Sequence, residues 1–290
     1  RVEGYLKKYH AESKNVSDTS VSLSALPLHC GHFVLTKSDT EAILKAYLEY
    51  GTGCPTYLDG MFSFVIWDEK KQQLFMARDR FGKKPLYYAL DKDKNLVFAS
   101  EIKALVASWL IEPKLDMSVL DSYLTLMYVP PSKTIFTNIS TLKPGHYAVY
   151  NNDVLIQEQY WHLEDKPIAI SYPEAREEVK GLLKRAVQKR MIADVEIGAF
   201  LSGGVDSTLV TAYAQAACDH PLKTFSLGYG SHINELPYAQ QVSEKYKTDH
   251  YTLQADGNFI DELLRTIEYF DEPHADSSNF PQKPYFSFRG

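Results

Sequence analysis

The sequence predicts two successive domains: a front part with a largely antiparallel sheet and at least one covering helix, and a rear part with a parallel sheet. In the front third, apolar runs come in pairs separated by charged turns, a pattern typical of hairpins. From Tyr172 onward, strand-like and helix-like segments alternate, which indicates a parallel sheet flanked by helices. The predicted fold class is therefore α+β in front and α/β behind.

The composition is that of an ordinary globular protein with a small negative charge. The 290 residues are 44% hydrophobic, and 31 Lys+Arg against 37 Asp+Glu leave a net charge of −6. An acidic chain has no general attraction to phosphate backbones, so we expect no nucleic-acid partner. Because no apolar run reaches membrane-spanning length and the first residues lack a signal-peptide core, we expect a cytoplasmic protein without a membrane partner. Cys30, Cys54 and Cys218 share no CxxC spacing, which argues against a thiolate zinc site or a disulfide framework.

The first regular element predicted is a helix that begins near residue 38. Residues 1–30 are mostly polar and aperiodic, so no element is predicted there. Residues 38–41 (SDTE) have the pattern of a capping box, with acidic residues in the first turn. Apolar residues then recur at helical spacing up to Gly51, namely Ile43, Leu44, Tyr47 and Leu48.

Two hairpins and a connecting region are predicted next. The first hairpin joins apolar residues 61–67 to 73–77, and the second joins 86–89 to 96–99. Prolines and short apolar segments then follow, and we interpret them as a connection that packs between two domains. The predicted organisation is a first domain over 1–109, a connecting region over 110–170 and a second domain over 171–290.

The second domain is predicted to alternate between helices and strands. Its elements are a helix with Val179, Leu182, Leu183, Ala186 and Val187 on one face, a strand over 195–201, a glycine turn, a helix through Leu209, Val210 and Tyr213, a strand over 224–227, and a helix over 238–246.

The turn after the strand over 195–201 has the chemistry of a phosphate-binding loop. Gly203 and Gly204 let the backbone turn tightly, and Ser202 and Ser207 supply hydroxyl groups. Successive N–H groups at a helix start attract anions, and the helix dipole strengthens that attraction. Asp206 would repel a phosphate unless a divalent cation lay between them, which indicates Mg²⁺.

The turn has two alternative interpretations. A Walker A loop is excluded, because that motif is longer and has a Lys after its last glycine, where Val205 and Asp206 stand here. The loop therefore fits a pyrophosphate leaving group better than the transfer of a γ-phosphoryl group. The simpler alternative is a Ser/Gly-rich turn with an aspartate helix cap, but the strand, Asp206, Ser207 and the helix together favour phosphate binding.

Residues 202–207 (SGGVDS) resemble the pyrophosphate loop of the N-type ATP pyrophosphatases. With its flanks, the chain resembles the glutamine-hydrolysing asparagine synthetases over roughly residues 31 to 281. Several further segments are similar to motifs of that family and occur in the same order: 59–64, 77–82, 85–88, 98–105, 194–201, 224–228, 235–239, 271–273 and 275–278.

The resemblance implies a fold, a reaction and its ligands. The expected fold is an Ntn-type αββα glutaminase-like sandwich followed by an ATP pyrophosphatase domain. The expected reaction activates the aspartate side chain as β-aspartyl-AMP with Mg²⁺-ATP, and ammonia from glutamine then attacks it to give asparagine, AMP and pyrophosphate. The implied partners are small molecules (aspartate, glutamine or ammonia, and ATP), and a homodimer is compatible with the resemblance.

Site residues follow from the same resemblance. Backbone groups of Leu201 and Leu227 would contact the adenosine part of ATP, and Asp206 would bind Mg²⁺. Asp39 would pair with the α-amino group of glutamine, although a plain helix cap is the alternative for it. The residues that would hold the pyrophosphate are Ser202, Gly203, Gly204, Asp206 and Ser207.

Structural roles are expected for several other residues. Residues 78–80 (RDR) are expected to form a structural ion-pair network rather than a catalytic group. Cys54 and Cys218 are expected to be buried thiols. His250 and His274 are lone histidines and are expected to have no metal role.

The chain also departs from the family. Glutaminases of this family use a cysteine at the mature amino terminus, whereas this sequence begins at Arg1, so no catalytic residue is assigned and no glutamine hydrolysis is expected. The family's SGxGxDE segment has no match, and residues 282–290 diverge, so the chain is expected to be incomplete at both ends. Two alternatives stay open: a β-lactam synthetase-like adenylating enzyme, and a non-catalytic homologue that binds nucleotide or partners.

Overall fold

The computed structural model describes residues 38–228, 234–254 and 270–273. The chain divides into two compact units, Arg1–Glu164 and Asp165–Gly290. Their described residues form a mixed α/β structure with six α-helices and three sheets. Within these ranges, no helix combines the length and the apolar character that a membrane crossing requires.

The first unit contributes three α-helices, one 3-10 helix and seven strands to the described structure. In chain order they are α1 (Asp39–Tyr50), the 3-10 helix (Gly51–Tyr57), β1 (Ser63–Asp68), β2 (Gln73–Arg78), β3 (Tyr87–Leu90), β4 (Leu96–Ala99), α2 (Ile102–Ala107), α3 (Met117–Leu126), β5 (Ser140–Thr141), β6 (His146–Asn151) and β7 (Val154–Gln159).

Both predicted hairpins are confirmed, but they lie in different sheets. β1 and β2 pair antiparallel in a four-stranded sheet of order β1-β2-β6-β7, while β3 and β4 belong to a three-stranded sheet of order β4-β3-β5. The prediction of one largely antiparallel sheet in the front third was therefore wrong, because the two hairpins belong to two sheets. The second edge of β2 pairs with β6 instead of with the next hairpin, in the register Leu74↔Tyr150.

The predicted connecting region, residues 110–170, supplies three of these strands. β5 pairs with β3, β6 pairs with β2, and β7 forms an edge of the four-stranded sheet. Residues 110–164 thus belong to the first compact unit. β5 and β6 hydrogen bond to strands that lie far earlier in the chain, and β7 pairs with β6.

Helix α1 covers the core of the first unit with part of its predicted apolar face. Ile43 and Tyr47 are buried, and the Tyr47 ring stacks on Phe75 at a centroid distance of 5.1 Å. Leu44 and Leu48, which were predicted on the same face, are 44% and 66% exposed. They lie on the next row of the helix surface, one residue beyond the buried row.

The second unit contains three helices and a parallel sheet among its described residues. The elements are α4 (Tyr172–Lys189), β8 (Gly198–Phe200), α5 (Val205–Gln215), β9 (Lys223–Gly228), α6 (Leu236–Tyr246) and β10 (Asp249–Gln254). The strand order is β10-β9-β8, and both neighbouring pairs are parallel. The predicted strand–helix alternation is therefore confirmed, although β8 is shorter than the predicted strand over 195–201.

The predicted apolar face of α4 is covered only in part. Val187 is buried in a cluster with Ala214 and Leu222, whereas Val179 and Leu182 are 62% and 50% exposed. Within the described residues, contact with the neighbouring elements is thus concentrated at the carboxyl end of this helix.

Candidate functional site

The turn between β8 and α5 has the strand–turn–helix geometry that the sequence predicts. β8 ends at Phe200, and the next residue, Leu201, is 1% exposed and donates its N–H to the Phe225 carbonyl at 2.8 Å. Helix α5 begins at Val205 with Gly204 as its N-cap. Residues 202–204 therefore form a turn between a strand end and a helix start, with Ser202 and Gly204 exposed and Gly203 partly buried. The first N–H groups of a helix have no intrahelical acceptor.

Gly203 is required both by backbone conformation and by packing. Its φ of +80° lies in the left-handed region, which side chains disfavour. A Cβ atom there would stand 2.5 Å from Cβ of Tyr238 and 2.6 Å from the backbone nitrogen of Ala239. The first turn of helix α6 therefore packs directly on Gly203 and restricts the position of the 202–204 backbone.

The two serines of the turn hydrogen bond to each other and to the turn backbone. The hydroxyls of Ser202 and Ser207 lie 3.0 Å apart, and the N–H groups of Ser202 and Gly204 donate to Oγ of Ser207 and Ser202, each at 3.3 Å. The Ser207 hydroxyl also donates to the Gly204 carbonyl at 3.2 Å. These bonds close the turn on itself, and most are long enough to be exchanged for stronger bonds to an anion.

Asp206 lies in the first turn of α5 and is exposed. Among the described residues, no group of three or more His, Cys, Asp and Glu side chains could hold a metal ion. Mg²⁺ commonly binds through one or two carboxylates together with substrate phosphates and water. A single carboxylate beside the predicted phosphate-binding turn is compatible with that mode, whereas a single carboxylate without phosphate would not form a metal centre.

The structure brings Leu201 and Leu227 to the same edge of the sheet. Phe200 pairs with Phe225, so Leu201 follows at the carboxyl end of β8, and Leu227 lies near the carboxyl end of β9. In open parallel sheets, ligands bind outside the carboxyl ends of the strands. The predicted adenosine contacts are thus placed beside the turn.

Sequence reasoning missed two neighbours of the turn. The hydroxyl of Ser226 donates to the Leu201 carbonyl, and Tyr238 packs on Gly203. The signal for Ser226 was the alternation of β9, in which Thr224, Ser226 and Gly228 share one buried face. No local pattern predicts the contact with Tyr238, because it joins two elements across the fold.

Asp39 is the first residue of α1, in the first unit, and is partly buried. A carboxylate in the first turn of a helix is stabilised by the positive end of the helix dipole. Ser38 is the N-cap residue of α1, so Asp39 lies one position inside the helix, where its carboxylate is compatible with stabilising the helix start and with binding an α-ammonium group. Both interpretations of Asp39 therefore stay open.

Asp79 is held by backbone groups rather than by an ion pair. It is 2% exposed, and its carboxylate accepts hydrogen bonds from the N–H groups of Phe81, Lys83 and Lys84 at 3.0 to 3.1 Å. Its own carbonyl accepts from Gly145 at 2.9 Å. The carboxylate thus organises the loop after β2.

Arg78 and Arg80 also bind backbone groups, but as donors to carbonyl oxygens. Arg78, which is 9% exposed, donates to the carbonyls of Lys84, Gly82 and Leu142 at 2.7 to 2.8 Å. Arg80 donates to the carbonyls of Leu58 and Thr56 at 3.1 and 3.2 Å. The expected structural role fits these contacts, but the expectation of an ion-pair network was wrong, because the hydrogen-bond acceptors of both guanidinium groups are mainly loop carbonyls.

The cysteines of the described residues are not placed as nucleophiles. Cys54 is fully buried, and burial raises the pKa of its thiol to about 12. Cys218 is only partly buried, so the expectation of a buried thiol was wrong there, and desolvation raises its pKa as well. Cys30 and His274 lie outside the described residues.

Comparison with known protein families identifies two domains in the chain. Residues 22–161 match the glutamine amidotransferase domain, and residues 178–284 match the asparagine synthase domain.

Curated relatives match most of the chain. A putative glutamine-hydrolysing asparagine synthetase 2 of Methanocaldococcus jannaschii is 35% identical over 252 residues, which cover 85% of this chain and 49% of the relative. Glutamine-hydrolysing asparagine synthetase 3 of Bacillus subtilis is 31% identical over 285 residues, covering 91% of this chain and 45% of the relative. A putative asparagine synthetase of Mycobacterium tuberculosis is 35% identical over 264 residues, covering 87% of this chain and 40% of the relative. The chain therefore spans about half the length of these relatives or less.

Proposed function

Because the chain belongs to the glutamine-hydrolysing asparagine synthetase family, we propose that the protein uses ATP to convert aspartate to asparagine with ammonia from glutamine. In this proposal, the second unit forms β-aspartyl-AMP and releases pyrophosphate. The strand–turn–helix geometry of residues 201–207 is the observation that carries it. A carboxylate is a poor electrophile, and adenylation supplies the leaving group that ammonia can displace.

The finer fold assignment belongs to the same proposal. We assign an Ntn-type αββα sandwich to the glutaminase-like first domain, and two antiparallel sheets with helices in the first unit support this assignment. We assign an ATP pyrophosphatase fold to the second domain, supported by the parallel sheet β10-β9-β8 and the glycine turn after β8. The proposed division is a glutaminase-like part over 1–109, a connecting region over 110–170 whose strands complete the sheets of the first unit, and an adenylating part over 171–290.

The turn is proposed to hold the pyrophosphate part of ATP. The N–H groups and hydroxyls of Ser202, Gly204 and Ser207 would donate to phosphate oxygens in place of their present bonds to one another. The start of α5 would add its dipole. Gly203 contributes by letting the backbone pass against α6, and backbone groups of Leu201 and Leu227 would contact the adenosine.

Asp206 is the proposed ligand for Mg²⁺. When bound, Mg²⁺ neutralises phosphate charge and favours the departure of pyrophosphate. The role of the chain is to hold one carboxylate at the helix start, within the same turn as the phosphate-binding groups.

Asp39 is the proposed partner of the α-amino group of glutamine in the first unit.

Calorimetry with Mg²⁺-ATP tests the nucleotide site on the full 290-residue chain. We expect Asp206→Asn to weaken Mg²⁺-ATP binding by about tenfold, because it removes the carboxylate that the cation needs. Asp219→Asn is the matched control, since Asp219 is an exposed aspartate beyond the opposite end of α5. Equal affinities for the wild type and Asp206→Asn would remove the proposed magnesium role.

Exchange of labelled pyrophosphate into ATP identifies the carboxylate substrate. Exchange that depends on aspartate is the expected result. Exchange that depends on another carboxylic acid would show that the protein is an adenylating enzyme with a different acceptor. A chain that fails to bind ATP in the calorimetric experiment would contradict the assignment of the turn.

A further inference from the structure

The first turn of α6 brings one exposed side chain to the proposed phosphate-binding turn. Helix α6 begins at Leu236, and its third residue is Tyr238. A Cβ on Gly203 would lie 2.5 Å from Cβ of Tyr238 and 2.6 Å from the carbonyl carbon of the same residue. The Tyr238 side chain therefore starts directly beside the centre of the turn.

The phenol of Tyr238 makes no polar or ring contact with the described residues. Tyr238 is 62% exposed, and in the part of the chain that the structure describes its hydroxyl makes no hydrogen bond and its ring stacks on no other ring. By contrast, the hydroxyl of Tyr251 in the same unit donates to Asp249 at 2.7 Å. The Tyr238 hydroxyl is thus available to a ligand as a donor.

The direction of α6 carries this hydroxyl toward the proposed ligand. Ala239 and Ser243 form the buried row of the helix, at 0% and 4% exposure, and Tyr238 lies beside that row. Long side chains of a helix lean toward its amino end. Since the amino end of α6 contacts Gly203, this lean places the phenol at the carboxyl edge of the parallel sheet, where such sheets bind ligands.

The turn has few donors of its own for a group as rich in oxygen as pyrophosphate. Residues 201–207 contain neither Lys nor Arg, so their donors are N–H groups and the hydroxyls of Ser202 and Ser207. Asp206 adds a negative charge in the same segment. A phenol hydroxyl supplies a further donor, and a hydrogen bond to an ionised phosphate is stronger than one between neutral groups.

We propose that Tyr238 is a binding residue, whose hydroxyl donates a hydrogen bond to the pyrophosphate part of ATP. This inference rests on the proposed function, which supplies the ligand, and it adds a residue of α6 to the site. The alternative is that Tyr238 only packs on Gly203. That contact is made by Cβ and the backbone of Tyr238, so a change confined to the hydroxyl separates the two roles.

Calorimetry on the full 290-residue chain tests the proposal with Mg²⁺-ATP, and displacement of Mg²⁺-ATP by inorganic pyrophosphate tests it without adenosine. We expect Tyr238→Phe to weaken the binding of both ligands by about tenfold, the factor that one lost hydrogen bond to a charged group gives. Tyr172→Phe is the matched control, since Tyr172 is an 81% exposed tyrosine in the first turn of α4. Its affinities should stay within about twofold of the wild type.

Three results would overturn the role of Tyr238. Weaker binding of ATP with unchanged binding of pyrophosphate would place the hydroxyl at the adenosine part. Pyrophosphate that fails to displace ATP from the wild type would show that the turn does not hold this group. Faster hydrogen exchange of α5 and α6 in Tyr238→Phe than in the wild type would show that the hydroxyl acts through the fold.

The wild type separates failure of this proposal from failure of the proposed function. If the wild type and Tyr238→Phe bind Mg²⁺-ATP equally, the site stands and Tyr238 only packs on Gly203. If the wild type binds no Mg²⁺-ATP, the proposed function fails, and the role of Tyr238 fails with it.

Discussion

Gly203 and Tyr238 stand in direct contact, so that a Cβ on the glycine would lie 2.5 Å from the Cβ of the tyrosine. One residue belongs to the turn after β8 and the other to the first turn of α6. This contact ties the proposed phosphate-binding turn to a helix that follows more than thirty residues later in the chain.

Gly203→Ala is therefore expected to destabilise the second unit. Strain at the left-handed backbone position and the clash with α6 together should lower the local free energy of unfolding by roughly 2 to 5 kcal/mol. Native-state hydrogen exchange of β9 measures this loss. Gly51→Ala is the control for strain alone, because Gly51 has a φ of +57° and open space around its α-carbon. If the local free energy of unfolding falls no more in Gly203→Ala than it falls around residue 51 in Gly51→Ala, then α6 can shift to accommodate the added methyl group at little cost.

Asp79→Asn is expected to destabilise the first unit by about 2 to 3 kcal/mol. The carboxylate accepts three backbone hydrogen bonds through two oxygens, whereas an asparagine has one acceptor oxygen and turns two donors toward the remaining N–H groups. Urea unfolding followed by tryptophan fluorescence reports this unit, because Trp67, Trp109 and Trp161 all lie in it. The exposed Asp93 provides the control Asp93→Asn, and similar midpoints for the two variants would contradict the assigned role of Asp79.

Cys54 is expected to resist alkylation in the folded protein. Its thiol pKa is raised from 9.0 to about 12 by burial. At pH 8, this shift reduces its thiolate fraction by about a thousandfold, in addition to the steric protection of a buried side chain. Mass spectrometry after iodoacetamide treatment should find Cys218 modified well before Cys54. The same treatment in guanidinium should remove the difference, and rapid native labelling of Cys54 would refute its burial.

The stability of the second unit is expected to fall as the pH drops below about 6.5. Burial lowers the pKa of His250 from its ordinary value of 6.5, so the unfolded chain takes up a proton more readily than the folded one. The contribution of the neutral ring is therefore present above pH 6.5 and is lost as the pH falls through the lowered pKa. Pulse proteolysis between pH 7.5 and 5 should show this decline in the wild type. In His250→Gln the decline should be shallower. Identical pH profiles for the wild type and His250→Gln would contradict the lowered pKa of His250.

The elements of the chain could be predicted from the sequence because each follows a local rule. Alternating or continuous apolar runs with turn residues between them predicted β1 to β4, and the helical period from residue 38 predicted α1. The two glycines between a strand and an acidic helix start predicted the turn at 202–204. These signals depend on residues within a few positions of one another, so they can be identified without knowledge of the rest of the fold.

Only the tertiary structure decided which elements meet. The two hairpins entered separate sheets because β6 and β5, from much later in the chain, pair with β2 and β3. Asp79 found backbone partners where ion pairs were predicted, because the loop after β2 folds around it. Residues distant in sequence come together through packing and hydrogen bonding of the whole chain, and neither the period of a segment nor its composition records those partners.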